Sequence, residues 1–179
     1  MSTQPLFLAF GIAVIGATLA TATPAEASSR RATHPNAEGG VTSTSAQAGS
    51  GPNGGAGLRG RVVATDGQGN AAAVSGGAVR GPNGGAAGRA GATTVNADGS
   101  ATRRSGFAAQ GANGSAQSSG TATRGTDGSV TQGRSTSAQS SATGNSATST
   151  SSYSTAAGRS RTTSCFDAAG ATIACPTRP

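Results

Sequence analysis

Bulky apolar residues crowd into one run near the start of the chain, LFLAFGIAVIGATLA at residues 6–20. From residue 28 onward they thin to Leu58, Ile173, Phe107, Phe166 and seven valines at 41, 62, 63, 74, 79, 95 and 130. One later segment alternates clearly. In an extended chain Leu58, Gly60, Val62 and Ala64 point one way, and Arg59, Arg61, Val63 and Thr65 the other. The remaining arms are Ser, Thr, Ala and Val with scattered Gly, and each Gly would weaken a helix by about 1 kcal/mol. This pattern predicts short strands, not helices.

Punctuation between the arms is periodic. GPNGGAGLRG (51–60), GPNGGAAGRA (81–90) and GANGSAQSSG (111–120) align without gaps at a spacing of thirty, and SATGNSATST (141–150) is a degraded fourth copy. Asn53-Gly54, Asn83-Gly84 and Asn113-Gly114 alternate with Asp66-Gly67, Asp98-Gly99 and Asp127-Gly128 at intervals of roughly fifteen. Asn, Asp and Gly tolerate the positive φ that a two-residue type I′ hairpin needs at both central positions, so these dipeptides are read as tight hairpin turns. Gly also recurs mid-arm, at Gly60, Gly76-Gly77, Gly91, Gly106, Gly120 and Gly133, where it permits a bulge or a corner. The expected fold class is therefore all-β or largely disordered: a Gly-rich meander, or a solenoid of short strands. Repeats span 51–80, 81–110, 111–140 and a degenerate 141–163, preceded by an aperiodic lead-in at 28–50 expected to be disordered.

Composition narrows the possibilities further. The 179 residues include 30 Gly, one Tyr and no Trp. So few large apolar side chains exclude a Rossmann domain, a TIM barrel or a helical bundle, and any order must come from main-chain hydrogen bonds and stacked small side chains. The apolar run at 6–20 is shorter than the ~20 residues that span a membrane, and Ala25-Glu26-Ala27 supplies a small-x-small cleavage pattern. A signal peptide over 1–27 is expected, with Ala22 as a second cleavage point, although MSTQP lacks Lys and Arg. The exported chain then needs no membrane span, and its location is the periplasm, the cell surface or the medium.

Cys165 and Cys175 are the only cysteines, ten positions apart in SCFDAAGATIACP. In an exported chain such a pair is a structural disulfide, here closing a hairpin over 164–179 that can cap a repeat array. Ten-residue spacing is wrong for a redox C-x-x-C or a zinc site, and His34 is the sole histidine. Catalytic chemistry has little to work with. Gly55-Ala56-Gly57-Leu58-Arg59-Gly60 matches G-x-G-x-x-G, but no helix follows it, and a P-loop would need a Lys that the chain lacks. No G-x-S-x-G elbow occurs and carboxylates are few. No enzyme activity, cofactor, metal or small-molecule substrate is expected.

Charge is the remaining chemical signal. All 13 basic residues are Arg; against the five carboxylates left after cleavage, the mature chain carries +8. Arg59, Arg61, Arg80, Arg89, Arg103, Arg104, Arg124 and Arg134 spread along the repeats and form the candidate polyanion-binding set, since guanidinium forks match phosphate, sulfate and carboxylate. Aromatics are not expected to interleave with these arginines, so base stacking on the repeats is not expected.

Gly67-Gln68-Gly69-Asn70-Ala71 and Gln110-Gly111-Ala112-Asn113-Gly114-Ser115-Ala116-Gln117 resemble the repeats of curli-type functional amyloid subunits, secreted proteins rich in Gly, Asn and Ser. The likeness covers fragments of 51–150, is one of physical style, and assigns no functional residue. The longer period and the many Arg depart from that family. Two functions are expected from these observations. The first is an exported structural, surface or matrix protein that self-assembles by β stacking. The second is an Arg-rich module binding extracellular DNA, lipopolysaccharide or acidic glycan.

Overall fold

A computed structural model of the protein describes residues 27–176; the expected signal peptide lies almost wholly outside them. Eleven strands follow one another: β1 (Ser28–Pro35), β2 (Val41–Ser50), β3 (Ala56–Thr65), β4 (Ala71–Arg80), β5 (Ala86–Val95), β6 (Ala101–Gly111), β7 (Gly114–Arg124), β8 (Val130–Ser140), β9 (Ser146–Ser154), β10 (Gly158–Phe166) and β11 (Thr172–Ile173). They form one antiparallel sheet in strict chain order, each strand bonded to its sequence neighbours. The thirty-residue repeat is thus one hairpin, two strands and two turns. The architecture is the meander rather than the solenoid.

The lead-in expected to be disordered is β1 and β2, paired from Ser28–Ala48 to Pro35–Val41. Its turn, Asn36-Ala37-Glu38-Gly39-Gly40, lies sixty residues before Asn96-Ala97-Asp98-Gly99-Ser100, in phase with the repeat. Neither a bulge nor a corner forms at the mid-arm glycines. Pairing runs without interruption through Gly60, Gly76 and Gly77, through Gly91 and Gly106, and through Gly120 and Gly133.

The turns also differ from the two-residue expectation. Gly54 N–H donates to Gly51 O at 3.1 Å and Gly51 N–H to Gly55 O at 2.7 Å, which puts Pro52 and Asn53 at the turn centre. Gly54 follows with φ 81°. Proline's fixed φ suits the first central position of a type I turn, and a Gly in the left-handed region then restores the strand twist as a bulge. The same bonding recurs at 81–85, 96–100, 125–129 and 167–171. Where Ala112 stands in place of the proline, the loop shortens to two residues between paired Gly111 and Gly114.

The described residues form no conventional core. Among the described residues only Gly40, Ser118 and Cys165 are buried. A single layer holds together through its main-chain ladder, with Cys165 bonded to Cys175 across a Cα–Cα distance of 5.2 Å. That bridge fastens β11 against Cys165 and Phe166 and leaves the rest of the β10 edge, Gly158 to Ser164, uncovered.

Candidate functional site

Register decides which side chains share a face, because directly paired residues and their i±2 neighbours point the same way. Arg31, Arg59, Arg61, Arg89, Arg103, Arg124, Arg134, Arg159 and Arg161 fall on one face. Arg30, Arg80 and Arg104 fall on the other. Every described Arg lies in a strand, whereas Glu38, Asp66, Asp98, Asp127 and Asp167 all lie in turns. Among the described residues, the arginine face therefore carries no opposing charge. Nor does any described Arg sit directly across from another: Arg61 lies between Ser45 and Ser75, and Arg89 between Gly77 and Phe107. Like charges directly opposite destabilise a sheet, and this spacing avoids them.

Five of the eight expected arginines gather in one place. Arg59, Arg61, Arg89, Arg103 and Arg134 line a shallow concavity of about 700 Å³, floored by Ser45, Ser75, Gly91 and Ser105 and flanked by Phe107. Arg124 shares the face but sits at its end, and Arg80 and Arg104 project from the opposite side. Phe107 corrects the expectation that no aromatic interleaves with the arginines: it is the direct cross-strand partner of Arg89, eighteen residues away in sequence. An adjoining concavity of about 790 Å³ shares Arg59, Arg89 and Phe107 and is lined by Val79, Ala87 and Gly57.

Some of these guanidinium groups are held in place. Arg134 lies across Gly120, donating from Nη1 to Ser118 Oγ at 3.0 Å and from Nη2 to Ser105 Oγ at 3.3 Å. A Cβ at Gly120 would sit 3.5 Å from the Arg134 Cζ and 3.0 Å from the Gly133 carbonyl, so glycine makes the room. Arg59 Nε donates to Gln47 Oε1. Arg61, Arg89 and Arg103 make no side-chain hydrogen bond within the described residues, and their heads are open to an external anion.

The turn residues divide by end. Asn53-Gly54, Asn83-Gly84 and Asn113-Gly114 mark one end of the sheet, and Asp66-Gly67, Asp98-Gly99 and Asp127-Gly128 the other. Asp98 Oδ1 accepts from Ser100 N–H at 2.8 Å and Asp127 Oδ1 from Ser129 N–H at 2.9 Å. Asp66 accepts from the Asn70 side chain and from the N–H groups of Gln68 and Asn70. Hydrogen bonds from the Asn70 amide to Asp66, from the Ser100 hydroxyl to Asp98 and from the Ser129 hydroxyl to Asp127 hold these carboxyls below their ordinary range, backbone N–H groups adding to each. Turns at this end also bond to neighbouring elements: Ala97 N–H donates to Asn70 Oδ1 at 2.8 Å, and Asn36 Nδ2 to Thr65 O, at the end of β3, at 2.7 Å.

Among the described residues, no helix is long and apolar enough to cross a membrane. Comparison with known proteins finds no matching family model, no matching curated protein and no matching solved structure.

Proposed function

We propose that this chain is a non-enzymatic structural protein of the cell surface or extracellular matrix that holds anionic polymer against its arginine face. The observation that carries the reading is the one-sided charge: nine strand arginines on one face and no carboxylate in any strand. Strands lie ~4.8 Å apart and same-face residues ~6.8 Å apart along a strand, so the central five charges fall within about 25 Å. That is roughly three Debye lengths at physiological salt, so neighbouring charges among them repel one another and are relieved by a polymeric counter-ion. Phosphate, sulfate and carboxylate groups all suit this face, since guanidinium pairs with each through its planar fork of donors. The disulfide supports an exported location, because such bonds persist in oxidising compartments.

The test is retention of the mature chain on sulfated and phosphorylated matrices as a function of salt. Steep salt elution, abolished when Arg59, Arg61, Arg89, Arg103 and Arg134 become Gln, supports the reading. Elution by a neutral competitor as readily as by salt overturns it.

A second reading, self-association by β stacking, is favoured by a separate observation. The sheet is one layer with three buried residues among those described, and stable domains need at least two packed layers. Sedimentation at rising concentration tests it; a chain that stays monomeric at high micromolar concentration rules it out.

A further inference from the structure

The face opposite the arginines has a chemistry of its own. Over β2–β5 it carries Ala, Gly, Val, Leu, Thr and Ser, and its only charge is Arg80 at the end of β4. Leu58 pairs with Ala78 and Val62 with Val74, and between these two rows runs the glycine pair Gly60–Gly76. Two low ridges thus border a trough one side chain deep. The ridge residues stand in solvent, with Leu58 41%, Val62 41% and Val74 52% exposed.

From this geometry we infer that the β2–β5 portion of this face is the docking surface for a second copy of the chain, stacked face to face about a two-fold axis, with the arginine faces outward. It rests on the self-association reading and adds the face and the occupant. Charge selects the arrangement. Stacking two arginine faces would bury like charges, and stacking this face on a partner's arginine face would strip water from unpaired guanidinium groups. Of the three ways to stack two faces, the proposed one alone leaves all nine of those arginines in water. Arg30 on β1 and Arg104 on β6 then flank the contact, as charged residues flank the apolar centre of protein interfaces.

Shape and size agree with this. In a two-fold contact the same patch meets itself, so each copy's Leu58 and Val62–Val74 ridges can enter the other's Gly60–Gly76 trough. Four strands by nine residues cover roughly 19 by 30 Å, or about 600 Å² per copy. The pair removes about 1,200 Å², the lower bound for a specific interface. Such a two-layer particle presents arginines on both outer surfaces and can bridge two anionic polymers.

The experiment uses the mature chain with its disulfide intact. Val74→Arg places a charge at the centre of the proposed contact, and an unpaired buried charge weakens association by about a hundredfold or more. Gly76→Cys and Thr93→Cys report the two faces by rate of thiol alkylation. The Gly76 position is open, its added Cβ meeting only Arg89 O at 3.5 Å. Expected are concentration-dependent protection of Gly76→Cys, free labelling of Thr93→Cys, and a monomeric Val74→Arg chain with unchanged β circular dichroism. If Val74→Arg does not fold, the labelling pair decides. Self-association with Gly76→Cys labelled freely, or undiminished by Val74→Arg, overturns this face while leaving self-association standing. A monomer at every concentration overturns both.

Discussion

Leu58 and Arg59 are neighbours in the chain and face opposite worlds, as do Val74 and Ser75 one strand on. One face of the sheet collects nine arginines, five of them around a concavity floored by Ser and Gly, together with exposed Val79, Val95, Phe107 and Tyr153. The other, across β2–β5, is nearly free of charge. With no interior to hide side chains in, the sheet separates its chemistries by the two-residue period of the strand. The carboxylates would neutralise the arginine face if they shared it, but they sit in the turns. A coreless protein can therefore still be strongly asymmetric, and its asymmetry is a property of register.

The largest effect that tests this contrast is on binding. Changing Arg59, Arg61, Arg89, Arg103 and Arg134 to Gln should lower the slope of log affinity against log salt for a phosphate polymer by about 3.5–4.5, at roughly 0.7–0.9 for each phosphate no longer neutralised. The Arg80→Gln, Arg104→Gln pair on the other face should change the slope by less than about 0.5. Equal effects per arginine would mean that the faces are not functionally distinct.

Next in size is the clip. Replacing Cys165 and Cys175 by Ser should forfeit about 3 kcal/mol of loop-closure stabilisation in the chain-entropy model. Because each strand packs only against its neighbours, the weakening should show as faster amide exchange in β10 and β11, with the central arginine face still binding normally. Faster exchange throughout β3–β8 would show that the faces depend on the end.

A sharper probe uses adjacent glycines. A Cβ at Gly77, on the arginine face, would stand 2.9 Å from the Leu58 carbonyl and 3.2 Å from the Arg59 Cβ, whereas at Gly76 the nearest atom is 3.5 Å away. Gly77→Ala should cost about 1–3 kcal/mol and Gly76→Ala should be neutral or stabilising by up to about 1 kcal/mol, measured by urea unfolding. Equal costs would deny the crowding that sets the arginine rows.

The smallest effect involves neither face. Asp66, Asp98 and Asp127 have folded pKa values below the ordinary ~3.9, so the stability they lend is present above that value and disappears as pH falls through the lower, folded one. Acidifying from about pH 5 to about pH 2 should loosen that end of the sheet, seen by amide exchange at Gln68, Asn70, Ser100 and Ser129, while the arginines stay charged. Uniform loosening at both ends would place the effect elsewhere.

Much of the local structure is legible in the sequence. Asn-Gly and Asp-Gly spacing points to β hairpins, the Leu58–Thr65 alternation separates Arg59 and Arg61 from Leu58 and Val62, and the cysteine pair points to the disulfide that forms. The strands at 28–50 escape such a reading because they contain only Val41 among large apolar residues, although the likeness of residues 36–40 to 96–100 marks them as part of the repeat. Turn length departs from the two-residue expectation because the left-handed Gly acts as a bulge after a two-residue turn centre. Pro52 and Asn53 form one centre and Gly54 is its bulge, and the same bonding forms without proline at 96–100 and 125–129. The mid-arm glycines look like breaks in sequence, yet Gly120 is where Arg134 crosses a strand to reach Ser105.

By itself the sequence determined where the chain reverses and which residues alternate within each arm, because turn chemistry and strand pleat act over a few neighbouring residues. Only the tertiary structure decided that Arg59, Arg61, Arg89, Arg103 and Arg134 share one face with Phe107 while Arg80 and Arg104 do not. That outcome depends on the parity of each strand relative to the next. A one-residue change in a single turn moves every side chain beyond it to the other side of the sheet.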